Sequence, residues 1–89
     1  MSEVEVQITN RLGLHARAAA RFVHLANRFK SHITVIKGDS RVDGKSILGL
    51  LTLAASKGTR LRLSARGTDE KEALEQLAEL IRKSFDEDA

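Results

Sequence analysis

Val4, Val6 and Ile8 alternate with Glu5 and Gln7, a period of two that predicts a first strand with one face buried. From Thr9 to Leu14 the alternation stops, and Asn10 and Gly13 mark a turn. After His15 the alanine-rich stretch Ala16 to Phe29 puts Ala19, Phe22, Val23, Ala26 and Phe29 on one stripe, with Arg17, Arg21 and Arg28 off it. An amphipathic helix is therefore predicted to begin beside His15. Ile33, Val35 and Ile36 predict a second strand, Gly38-Asp39-Ser40 a turn, and Arg41-Val42-Asp43 a short return strand, together a hairpin. Ser46 stands as an N-cap before Ile47, Leu48, Leu50, Leu51 and Leu53, a short apolar helix expected to end at Gly58. Leu61, Leu63 and Ala65 alternate with Arg60, Arg62, Ser64 and Arg66, which makes a fourth strand with a basic outer face. Thr68 is expected to cap a last helix, with Asp69 and Glu70 in its first turn and Arg82 and Lys83 in its last, where the helix dipole favours each sign. Leu74, Leu77, Leu80 or Ile81, and Phe85 form the buried stripe of that helix.

The resulting order, β-α-β-β-α-β-α, fits a two-layer α+β sandwich in which an antiparallel sheet buries one face under the helices. At 89 residues the chain is expected to be a single domain over 1–89, and its 42% apolar residues can supply one core. No apolar run approaches the ~18 residues a membrane helix needs, and the first residues are acidic where a signal peptide would be basic, so a cytoplasmic protein is expected. With no cysteine, disulfides, thiol catalysis and cysteine zinc sites are all excluded. The net charge of +3 conceals an asymmetry: Met1 to Gly67 carries 12 Lys/Arg against 4 Asp/Glu, and Thr68 to Ala89 carries 3 against 8. A basic body of this kind suits an acidic protein, a phosphate or a nucleic acid. The acidic tail argues against nonspecific binding to a polyanion.

His15 is the first candidate for chemistry, because it sits where a loop ends and a helix begins. A helix N-terminus offers unpaired N–H groups and the positive end of the dipole, a site for a phosphoryl group, and the same field disfavours imidazolium. A neutral imidazole keeps one lone pair able to attack phosphorus, and Arg17 adds a fixed charge for the phosphoryl oxygens. On local sequence alone His15 also reads as a polar loop or capping residue, and that choice stays open. His24 and His32 follow at spacings of nine and eight, which are not those of a helical metal pair, so they read as surface histidines and no metal is expected. Gly44-Lys45-Ser46 invites a phosphate-loop reading, but five residues separate Gly38 from Gly44 where the Walker motif needs four. Ser46 reads as structural by default, although a phosphate there would suit the helix dipole. Ile47, Leu48, Leu50 and Leu51 are more apolar than one buried stripe requires, which leaves open a partner surface or a deeply buried helix. Nucleic-acid binding lacks a stacking platform, since there is no Trp or Tyr and the three Phe lie on apolar stripes.

Thr9-Asn10-Arg11-Leu12-Gly13-Leu14-His15-Ala16-Arg17, together with Gly44-Lys45-Ser46-Ile47-Leu48-Gly49-Leu50-Leu51, resembles the two signature regions of the HPr family, phosphocarriers of the phosphoenolpyruvate-dependent phosphotransferase system. The Leu12-Gly13-Leu14-His15 opening and the Phe85-Asp86-Glu87-Asp88 ending also resemble the nitrogen-related NPr branch. The resemblance implies an open-faced βαββαβα sandwich, a four-stranded antiparallel sheet with three helices on one face. It implies that His15 accepts a phosphoryl group on Nδ1 from the phosphohistidine of enzyme I and passes it to a histidine of an EIIA-type protein, with Arg17 steadying the group. Ser46 matches the site that an HPr kinase/phosphorylase modifies in part of the family; Ile47, Leu48, Gly49 and Leu51, with Ala20 and His24 on the first helix, match a partner-contacting patch. No cofactor is implied, and a monomer that enters no membrane and binds no nucleic acid is expected. The alternative function is a regulatory binding module read by partners through phosphorylation of Ser46. The family usually has proline after the arginine, and here Ala18 stands instead, a good helix former that adds one N–H near the site.

Overall fold

The computed structural model describes residues 1–87. Four strands, β1 (Ser2–Gln7), β2 (His32–Lys37), β3 (Ser40–Asp43) and β4 (Arg60–Arg66), form one sheet in the order β1-β4-β2-β3. All three pairings are antiparallel. Helices α1 (Ala16–Ala26), α2 (Ile47–Thr52) and α3 (Glu70–Arg82) complete the order expected from the hydrophobic pattern. The alternation in β1 and β4 sends Val4, Val6, Leu61, Leu63 and Ala65 inward, where they join Ile33 and Val35 of β2 under Phe22, Val23, Leu74, Leu77 and Ile81. The opposite face carries Glu3, Glu5, Arg60 and Arg62, which pair diagonally at 3.6 Å for Arg60–Glu5 and 3.9 Å for Arg62–Glu3. Such exposed pairs contribute little to stability. Two residues on this face are nonetheless buried: Ser64, in register with Glu3 and Thr34, and Ile36, in register with Arg41 and Arg62, whose aliphatic stems can cover it.

Several boundaries differ from the sequence expectation. Helix α1 stops at Ala26 rather than Phe29, because the N–H groups of Arg28 and Phe29 bond to the carbonyls three residues back, Leu25 and Ala26, and tighten the chain into a turn. Phe29 remains in the core, and its carbonyl accepts from Lys45 Nζ at 2.7 Å. Helix α2 ends well before Gly58: Leu53 is its C-cap, Ala54 takes a left-handed φ of 49°, and Lys37 Nζ donates to the Leu53 carbonyl at 2.9 Å. Gly58 serves instead in the turn into β4, where its N–H reaches the Ile8 carbonyl at 2.8 Å. Phe85 is buried as expected, but in a separate turn after α3, Ser84–Asp86.

Thr68 does not cap α3. The capping position belongs to Asp69, whose carboxylate turns away from its own helix and accepts from the Lys30 N–H at 2.8 Å, the Ser31 N–H at 3.0 Å and the Ser31 hydroxyl. It thereby ties the start of α3 to the approach to β2. The Ser31 hydroxyl, the Lys30 N–H and the further N–H donors hold this carboxyl below its ordinary 3.8 against the opposing effect of burial. A depressed carboxylate contributes stability that is present above the unfolded value and is lost as pH falls through the folded one. Asp69→Asn is expected to lower the denaturation midpoint at pH 7, because its amide NH2 would face donors, and to flatten the fall in stability below about pH 4. Urea titrations at pH 7 and pH 3 check this, and an unchanged midpoint at pH 7 would contradict it.

Candidate functional site

The loop between β1 and α1 is built around Asn10, which is fully buried. Its backbone carbonyl accepts from the Gly13 N–H at 3.1 Å, closing a turn, and its side-chain Nδ2 donates to the Gly13 carbonyl at 2.7 Å. Gly13 has φ of +67°, and a Cβ there would stand 2.4 Å from the Ala55 carbonyl oxygen, so only glycine fits. Leu14 then donates to the Ala55 carbonyl at 2.8 Å, docking the loop on the chain that follows α2. Gly13→Ala is expected to cost at least about 1–2 kcal/mol through left-handed strain, and more through the clash, and to disturb the His15 loop. Thermal melts with and without the substitution measure it; a wild-type melt would contradict the packing.

His15 occupies the N-cap of α1 in an extended conformation, and its carbonyl accepts the first helical bond, from Ala19, at 2.8 Å. The N–H groups of Ala16, Arg17 and Ala18 in the first turn precede that bond and lack intrahelical partners. The imidazole is 27% exposed, and its Nε2 lies 2.5 Å from Glu87 Oε2. Glu87 Oε1 accepts from Asn10 Nδ2 at 2.9 Å. Both partners of Nδ2 are acceptors only, which fixes the orientation of the Asn10 amide. Burial pushes the Glu87 carboxyl up, but hydrogen bonds from Asn10 and His15 and the charges of His15 and Arg21 outweigh it, so the group sits below its ordinary 4.5.

A cleft of about 340 Å³ opens beside Glu87, lined by Arg11, Leu12, Arg17, Arg21, Asp86 and Glu87. Arg21 is tied to the C-terminal turn by donating to the Phe85 carbonyl, whereas Arg17 makes no hydrogen bond or ion pair among the described residues. First-turn N–H groups without intrahelical partners thus follow His15 directly, and Arg17 lines the cleft beside Glu87, the carboxylate that engages His15, an arrangement suited to a dianionic group.

The other residues singled out in the sequence lie in two places, on α1 and on α2. Ala20 and His24 are exposed on α1 and, with Arg17, line a groove of about 1050 Å³ against α3. On α2, Ser46 Oγ accepts from the Gly49 N–H at 3.0 Å, the N-cap bond expected of it. Leu48 is 76% and Ile47 41% exposed, while Leu51 is half-buried against the core and Leu50 fully buried. The excess apolarity of α2 is thus a surface, except at Leu50 and Leu51. Asn10, read from sequence only as a turn residue, and Glu87, read only as part of an acidic ending, are additions made by the fold. No spacing signal links Glu87 to a histidine 72 residues away.

Residues 2–83 match the family described as "PTS HPr component phosphorylation site". The chain belongs to the HPr family. It is 51% identical over 87 residues to the phosphocarrier protein HPr of Neisseria meningitidis serogroup A, covering 98% of each chain. Among solved structures it is similar to HPr-C-His from Thermoanaerobacter tengcongensis, with a TM-score of 0.96, 46% identity and complete coverage of both chains. It is also similar to the HPr dimer from the same organism, with a TM-score of 0.78, 47% identity, and 98% of this chain and all of that one covered. The HPr fold expected from the two signature regions is the fold observed. This HPr-family chain is a phosphocarrier, a carrier of phosphoryl groups rather than an enzyme. The relatives carry the name HPr, and the comparisons lend no specific support to the nitrogen-related branch.

Proposed function

We propose that His15 is the phosphoryl acceptor and that the group bonds to Nδ1. The observation that carries this reading is the placement of the imidazole at the N-cap of α1, with Nε2 engaged by Glu87 and three first-turn N–H groups that have no partner among the described residues. The phosphohistidine of enzyme I is the donor and a histidine of an EIIA-type protein the recipient, as the family implies. Arg17, exposed and unpaired among the described residues, supplies the guanidinium that steadies the phosphoryl oxygens. The partners meet the first turns of α1 with Ala20 and His24, and the apolar exposure of Ile47 and Leu48 beside Gly49 and Leu51 extends the docking face onto α2.

The basic body speeds encounter with acidic partners, and the carrier works in the cytoplasm as a monomer; no helix of the described residues is long and apolar enough to cross a membrane. Ser46 is a second phosphorylation site, for an HPr kinase/phosphorylase. Its oxygen accepts the Gly49 N–H, which leaves the hydroxyl hydrogen uncommitted among the described residues. A phosphate there would add negative charge to the docking face.

Incubation with phosphoenolpyruvate and enzyme I, followed by addition of an EIIA-type protein, tests the carrier role. The expected result is an acid-labile phosphate that first enters this chain and then leaves it for the second protein. No incorporation, with a known carrier working alongside, would overturn the reading and leave the Ser46 module as the alternative. The mass of the protein in solution, measured in the same experiment, tests the monomer.

A further inference from the structure

The Ser84–Asp86 turn has three successive non-glycine residues in the left-handed region, Ser84 and Phe85 at φ of 56° and Asp86 at 62°. Each is disfavoured for an L-residue, so other contacts must hold the turn. Phe85 supplies one by complete burial, the Arg21 guanidinium another at the Phe85 carbonyl, and Thr9 Oγ1 a third at Ser84 Oγ, 2.9 Å away. The product of this turn is the position of Glu87. Its carboxylate is drawn back across the N-terminus of α1, one oxygen on Asn10 and the other on His15 Nε2. Asn10 is itself fully buried and held on the Gly13 carbonyl, so the relay from loop to carboxylate to imidazole is rigid at its origin.

We infer that Glu87 is a positioning residue for phosphoryl transfer: by accepting the Nε2–H of His15 it fixes the tautomer that leaves the Nδ1 lone pair free, and it balances the charge the ring acquires. This rests on the reading of His15 as the acceptor. An ionised carboxylate can only accept, so the proton must lie on Nε2 and the lone pair on Nδ1. Among the described residues no hydrogen bond engages Nδ1. In the transfer step the Nδ1 lone pair forms the new N–P bond, while the donor's N–P bond breaks and its electron pair returns to the donor nitrogen. The Nε2 proton stays in place, so the ring becomes a phosphoimidazolium, and the Glu87 carboxylate lies at hydrogen-bond distance from that positive charge. Keeping Nε2 protonated also makes the imidazole a better leaving group in onward transfer, when the same N–P bond breaks and the pair returns to Nδ1.

The test uses the full chain as wild type, Glu87→Ala and Glu87→Gln, each labelled with 15N-histidine. At about pH 9, where imidazoles are ordinarily neutral, the ring nitrogens report the tautomer directly. The wild type is expected to hold Nε2–H almost exclusively. Glu87→Ala is expected to populate both forms, and Glu87→Gln, able to donate as well as accept, to shift part of the ring to Nδ1–H. Phosphoryl acceptance from phospho-enzyme I should fall about tenfold in both variants, the scale of a lost charge-assisted bond, with Nε2-phosphohistidine appearing in the product. An unchanged tautomer and rate in Glu87→Ala, or a faster acceptance, would overturn the inference while leaving His15 as the acceptor. Failure of the wild type to accept phosphate would instead remove the reading on which it rests.

Discussion

Replacing His15 with alanine is expected to reduce acid-labile phosphorylation of this chain to background while leaving it folded. Alanine offers no nucleophile, and His24 and His32, both exposed, lie away from the N-terminus of α1 that would receive the phosphoryl oxygens. The structural cost should be small, about 1 kcal/mol or less, because the ring is part-exposed and makes one hydrogen bond beyond the backbone. The loss is thus chemical, and circular dichroism together with labelling from phosphoenolpyruvate separates the two effects. A kinase that acts on Ser46 should still modify the variant, since Ser46 shares no hydrogen bond with the His15 cluster among the described residues. Undiminished labelling in His15→Ala would mean that another nitrogen or oxygen carries the group.

The second large effect is expected at Phe85. This residue has no exposed surface and packs in the main core, although it follows the last regular helix. Phe85→Ala should cost about 3–5 kcal/mol, a large share of the stability of a domain this size. At roughly 4–8 °C per kcal/mol, the melting temperature should fall by at least about 10 °C. The C-terminal turn would also lose the anchor that offsets its left-handed backbone, and with it the hold on Glu87. Asp86→Asn, in the same turn but exposed and equally tolerant of its left-handed backbone, should by contrast shift stability by less than about 0.5 kcal/mol. Equal melts for the two variants would contradict the placement of Phe85 in the core.

The fold was legible because its strands and helices carry clean periods. Leu61, Leu63 and Ala65 against Arg60, Arg62 and Arg66 make one face apolar and the other basic, and only a half-buried strand uses that pattern. The element ends were less legible, for a physical reason: they are set by groups distant in sequence. Lys37 closes α2 at Leu53, Lys45 meets Phe29 after α1, and Asp69 leaves its own helix to bind the chain before β2. A glycine such as Gly58 therefore marked a turn correctly and the wrong element.

The candidate site divides in the same way. His15 and Arg17 are neighbours in sequence, and the start of an amphipathic helix beside them was visible from Ala19, Phe22, Val23 and Ala26. Ser46 as an N-cap was equally local, and its bond to Gly49 is the expected one. Glu87 was not legible as part of the site, because its approach to His15 depends on Phe85 seating in the core and on three left-handed residues that no local preference would choose. Asn10 looked like a surface turn residue, since its spacing to Gly13 explains a turn without requiring burial. Burial is decided by the C-terminal turn folding over the loop, a contact between opposite ends of the chain.

The most direct test of the account is to phosphorylate the wild-type protein with phosphoenolpyruvate and enzyme I and to locate the phosphoryl group by phosphorus and nitrogen NMR of 15N-histidine-labelled protein. The expected result is a single N–P bond at Nδ1 of His15, with the resonances of His24 and His32 unmoved. A phosphoryl group on either of those histidines, or at Nε2 of His15, would contradict the site as built from Asn10, Glu87 and the first turn of α1.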